Sequence, residues 1–170
     1  MAGQVSPSVL FLTLQKHYLV DTLGLHSLPN HLHEIAFAFI LYQVTFTYLA
    51  PWFSKRWFPQ HYSQLSRRGA LDWNLQCVSM VQSILISSLA LWALAKTDSR
   101  RMTPEQRIWG YFKPAGSVQA LAAGYFLWDL IMMTQHLQDL GLPMFIHALS
   151  CFTVYMLGFV STPDWSFLIS

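Results

Sequence analysis

Charge is scarce in this chain. Of its 170 residues only 11% are charged while 54% are hydrophobic, and the charges gather between long uncharged runs. That distribution excludes an ordinary soluble core and points to a multispanning membrane protein. Cysteine is scarce too: Cys77 and Cys151 both lie inside apolar runs, so neither a disulfide framework nor a zinc site is suggested. An excess of one sign is missing, and a formal charge of +2 gives no argument for nucleic acid. The chain has no Gly-rich phosphate loop, no GxSxG elbow and no HExxH helix, which removes nucleotide and metalloprotease functions and implies no cofactor. A secretory leader is not expected either. Val9 to Leu14 is short and runs into Gln15, Lys16 and His17, so insertion would rely on internal spans. No internal repeat or low-complexity tract interrupts the chain.

What is present is a series of apolar runs. Ile35 to Phe53 gives 19 uncharged residues ahead of Lys55 and Arg56, with Pro51 expected to bend or end the helix. Trp73 to Ala95 gives 23, enough to cross a core of roughly 30 Å at about 1.5 Å per residue. A third span is read over Ala115 to His136 and a fourth over Leu142 to Val160, joined by a link short enough for an antiparallel hairpin. Ser8 to Leu23 has the mixed polarity of an interfacial helix. The fold class is therefore all-α, a polytopic transmembrane helical bundle with about four spans. Loop charge orients it only weakly, with four Lys/Arg after span one and five after span two.

One carboxylate stands out. Asp129 is the only charge in AGSVQALAAGYFLWDLIMMTQ (Ala115 to Gln135), and a charge at bilayer depth normally faces a protein interior or a wet cavity. Tyr125, Asp129 and His136 are four and seven residues apart, which puts them on one helix face. A tight hairpin would bring His147 to a depth between Asp129 and His136, with Ser150 and Cys151 as its same-face neighbours. Tyr125, Asp129, His136 and His147 are thus the candidate lipid-contacting residues, and Asp129 and His147 the candidate catalytic pair, a carboxylate orienting an imidazole for proton transfer. The plainer reading makes Asp129 and His147 interhelical polar glue.

Other polar groups have structural readings. Gln76, Ser79, Ser83 and Ser87 form one small-residue face expected to pack on another helix, while Gln82 lies off that stripe and gives no separate signal. His31, His33 and Glu34 resemble a metal cluster only superficially, since positions two apart on a helix diverge and no matching ligand set occurs elsewhere; no metal is expected. Trp52, Trp57, Tyr62, Trp73 and Tyr111 near span ends suit an interfacial aromatic belt.

The stretches DWNLQCVSMVQSILIS (Asp72 to Ser87), GYFLWDL (Gly124 to Leu130), His136 and MFIHALSCFTVYMLGF (Met144 to Phe159) together resemble the TLC domain, the homology region of TRAM, Lag and CLN-type membrane proteins. The likeness covers about Pro29 to Phe159 and is nearest to the uncharacterised fungal branch. It implies an integral, multi-pass protein of the endoplasmic reticulum or another endomembrane, with a helical bundle around a lipid-accessible cavity and a role in lipid binding, sensing or homeostasis. Ceramide synthase members carry paired histidines and a later His-Asp element. Here His147 is followed by Ala148, and GYFLWDL does not reproduce that element.

The resulting expectation divides the chain into an N-terminal segment 1–28, a partial TLC domain 29–160 and a tail 161–170 that departs from the family pattern, as in a C-terminally truncated member. The leading function is non-enzymatic lipid binding or sensing. The alternative is a ceramide-synthase-like acyltransferase using His147 and Asp129, and a further one is a structural membrane subunit or a truncated nonfunctional product. Membrane lipids, and helix–helix partners or a homo-oligomer, are the expected partners.

Overall fold

The computed structural model describes residues 28–96 and 113–159. The interfacial helix read over Ser8 to Leu23, Tyr111 and the tail 161–170 lie outside these. Every described run that the sequence marks as a span is helical, and among the described residues no strand occurs. A 3-10 turn, Leu28–Asn30, leads into α1 (Leu32–Val44). His31 stands at the N-cap, and its ring Nδ1 pairs with the Glu34 carboxylate in the first turn, where a negative charge also complements the helix dipole.

The apolar run does not end at Pro51. After α1 the chain makes one wide turn, Thr45–Leu49, in which the Ala50 N–H reaches back five residues to the Thr45 carbonyl, and then continues as α2 (Ala50–Trp57). Proline lacks an N–H and its ring collides with the carbonyl four residues back in a regular helix, so a wider turn just before it relieves both problems. The expected break is therefore absorbed, and 32–57 runs as one long helix.

A short helix, α3 (Pro59–Ser63), turns the chain into α4 (Arg67–Lys96), which is 30 residues long. Beyond the undescribed segment, α5 (Lys113–Gln135) is followed by a single turn, α6 (Leu137–Leu140). Gly141 then takes φ 86°, a left-handed value that suits glycine, and starts α7 (Leu142–Leu157) with Pro143 in its first turn.

Helix α5 is the centre: α1, α4 and α7 all pack against it. Its contact with α1 is close because the facing residues are small. Ala38, Ala120 and Ala123 are fully buried, and a Cβ built on Gly124 would lie 2.6 Å from the Ile35 carbonyl oxygen and 2.7 Å from the Ala38 Cβ. With lipid outside, such packing rather than water exclusion drives helix association. Aromatic rings fill the next layer. Trp128 is 1% exposed, lies 5.8 Å from the Phe46 ring, and donates from Nε1 to Gln43 Oε1 at 2.9 Å.

The outer surface is apolar. Phe37, Ile40, Trp52, Ile84, Leu91 and Leu94 all project away from the bundle. Two helices, 32–57 and 67–96, are long and apolar enough to cross a membrane, and only 28% and 17% of their most apolar windows are buried. The core helix of a soluble protein would be mostly covered, so this exposure fits an apolar solvent.

Candidate functional site

The face of α5 toward α4 and α7 is built differently. Along α4, Arg68, Asp72 and Ser79 recur at spacings of four and seven, which keeps them on one stripe, with Gln76 beside it. Along α5, Tyr125, Asp129 and Met133 do the same at spacings of four. Helix α7 runs back along α5 after the Gly141 turn and brings Met144 and His147 to the same level. These residues line one cavity of about 350 Å³ between α4, α5 and α7.

The cavity is anchored at its deep end by the hydroxyls of Tyr125 and Ser79, 2.9 Å apart, and Ser79 also donates to the Leu75 carbonyl. Above them stands Asp129, only 8% exposed, with its remaining surface on the cavity. No described residue hydrogen-bonds to its carboxylate. Arg68 and Asp72 occupy the mouth, one helical turn apart and exposed, without forming an ion pair with each other. A buried carboxylate without a donor is costly, and the same cavity offers both signs of charge at its rim.

His147 is exposed on the cavity side of α7, and its Nε2 lies 3.7 Å from Cys151 Sγ, one turn along. Asp129 and His147 therefore share the cavity without a hydrogen bond between them. His136 is not among the lining residues; it sits half-buried where α5 ends and accepts the start of α6 through its backbone carbonyl. Among the described residues no group of three potential metal ligands assembles, and His31 is engaged with Glu34.

Sequence reasoning passed over several contributors. Arg68 counted only as loop charge and Asp72 only as the start of the family stretch, yet both line the cavity. Gln82 is buried and accepts a hydrogen bond from the Tyr42 hydroxyl across the α1–α4 contact. A glutamine inside an apolar run was the available signal. Of the small polar stripe on α4, Ser79 meets Tyr125 and Gln76 lines the cavity, whereas Ser83 and Ser87 face outward. Trp73 and Tyr62 bind protein: Trp73 Nε1 donates to Ser54 Oγ at 2.8 Å, and Tyr62 donates to Asn74 Oδ1 at 3.2 Å.

Comparison with known proteins gives a consistent family signal. The TLC domain family model matches residues 72–169, more than half of the chain. An uncharacterised TLC domain-containing protein of Schizosaccharomyces pombe is 34% identical over 134 residues, covering 79% of this chain and 44% of that protein. Topoisomerase I damage affected protein 4 of Saccharomyces cerevisiae is 34% identical over 75% of this chain and 44% of its own length. Human TLC domain-containing protein 4 is 26% identical over 70% and 44% respectively. The chain thus spans less than half the length of the curated relatives it matches. No solved structure matches.

Proposed function

Because the chain belongs to the TLC-domain family of membrane proteins, we propose that it binds or senses a membrane lipid, holding the polar head group in the Asp129 cavity. The observation that carries this reading is the largely buried Asp129, whose carboxylate receives no hydrogen bond from a described residue and opens to a cavity of about 350 Å³. Few convergent polar groups inside an apolar bundle make a reasonable lipid site. Tyr125 and Ser79 would floor the site, and Arg68 and Asp72 would meet a head group at its mouth. Of the four residues proposed from sequence, Tyr125, Asp129 and His147 stay in this role; His136 would act at most from the end of α5. Multi-pass insertion in the endoplasmic reticulum or a related endomembrane belongs to the same proposal.

The test is lipid retention. Full-length protein purified in mild detergent should carry stoichiometric lipid by mass spectrometry, and Asp129→Asn should lose it while keeping its helical circular dichroism. Equal lipid content in both proteins would sink the reading. A second reading, acyl transfer with His147 as general base, is favoured by Asp129 and His147 facing one cavity. It requires turnover of a long-chain acyl-CoA that His147→Ala abolishes.

A further inference from the structure

We propose that the α4–α7 seam continues beyond the Asp129 cavity as a slot for a single lipid chain, so that the ligand is a one-chain amphipath with a zwitterionic head. This rests on the head-group reading above and adds the rest of the molecule. A second cavity, of about 410 Å³, lies further along the same three helices. Ile86 and Ala90 of α4, Val118 and Ala122 of α5 and Val154 of α7 line it.

In this proposal the two cavities, which share no lining residue, join along α5 as one groove. On α4 the stripe Arg68, Asp72, Ser79, Ile86, Ala90 holds one face at spacings of four, seven, seven and four, polar in its first half and apolar in its second. On α5 the stripe Val118, Ala122, Tyr125, Asp129, Met133 has the apolar part first, as the antiparallel pairing of Ser79 with Tyr125 requires. These helices are amphipathic along their length rather than only around it. Phe126, which lines the polar cavity, stacks at 4.8 Å on Tyr155, which lines the apolar one, so a chain running from one to the other would cross this ring pair. Gln119 and Tyr155 also line this second cavity, and Gln119 Nε2 donates to the Tyr155 carbonyl at 3.0 Å, tying α5 to α7.

Size and charge define the occupant. Asp129 and Val118 are eleven residues apart, about 16 Å along the axis. That is close to the length of one lipid chain, half of a hydrocarbon core roughly 30 Å thick. An apolar cavity of about 410 Å³ suits one chain and not two. At the polar end the Arg68 guanidinium suits a phosphate, and Asp129 and Asp72 suit an ammonium group.

The experiment uses full-length protein in lipid nanodiscs and two probes: a lysophosphatidylcholine and a two-chain phosphatidylcholine, each with a diazirine at the chain terminus. The one-chain probe should label peptides containing Val118 to Ala122 and Val154, and the two-chain probe should label them about tenfold less. Ala90→Trp, which fills the slot from α4, should move that label elsewhere. Val154 is 65% exposed, so Val154→Trp narrows the slot without a core substitution and should act in the same direction. Equal labelling by both probes, or terminal labelling that follows the outer faces of α1 and α4, would overturn the slot and leave the head-group reading standing. Loss of labelling together with lipid retention insensitive to Asp129→Asn would overturn both.

Discussion

Helix α5 has two faces, and they are built to opposite rules. Toward α1 it presents alanines, Gly124 and Trp128, packed so closely that a single added methyl group would meet backbone, with the Trp128 ring N–H bonded to Gln43. Toward α4 and α7 it presents Tyr125, Asp129 and Ala122 along two cavities, one of them with a carboxylate to which no described residue donates. The contrast separates what holds the bundle together from what the bundle offers a ligand. A packed face tolerates no loss of shape, whereas a largely buried carboxylate with no hydrogen bond from a described residue costs stability and is retained for another reason.

Substitutions on the two faces should differ in size and sign. Trp128→Ala should have the largest effect, destabilising by about 3–5 kcal/mol through the void left among Tyr42, Phe46 and Tyr125, and is checked by denaturant titration in micelles. Gly124→Ala should cost about 1–3 kcal/mol, because its new methyl must push the Ile35 backbone away. If Gly124→Ala unfolds at the same midpoint as the parent, the close α1–α5 contact is not what holds the bundle. Tyr42→Phe should cost about 1 kcal/mol, a usual value for an interhelical hydrogen bond in a membrane protein, by leaving the buried Gln82 carbonyl without its donor. Asp129→Asn should leave the midpoint unchanged or raised, since it removes a buried charge, while bound lipid is lost. A clear destabilisation by Asp129→Asn would erase the contrast and make Asp129 interhelical glue.

Much of this bundle was legible because apolar runs and their charged borders report span positions directly. Asp129 was legible for the same reason, as the single charge in its run. What the pattern could not report was rotation. Whether a polar residue meets a partner depends on which helix lies across from it, so Gln82 looked idle although Tyr42 stands opposite. Likewise the stripe from Gln76 to Ser87 has one helical period, yet only its first half reaches the seam, while Ser83 and Ser87 face outward. Arg68 and Asp72 were hidden by their place at a span border, where charge is expected anyway. His136 shares a face with Asp129 by count, but the helix ends there and the periodicity ends with it.

The wide turn before Pro51 has one more consequence. The buried positions of the first long helix are Ile35, Ala38, Tyr42, Thr45, Ala50 and Ser54, with steps of three, four, three, five and four. A step of five would carry Ala50 and Ser54 about 140° out of phase in a regular helix. The wide turn takes up the surplus, so Ser54 still arrives beneath the Trp73 ring. The extra residue is thus absorbed locally, and each half of the long helix keeps its own partners.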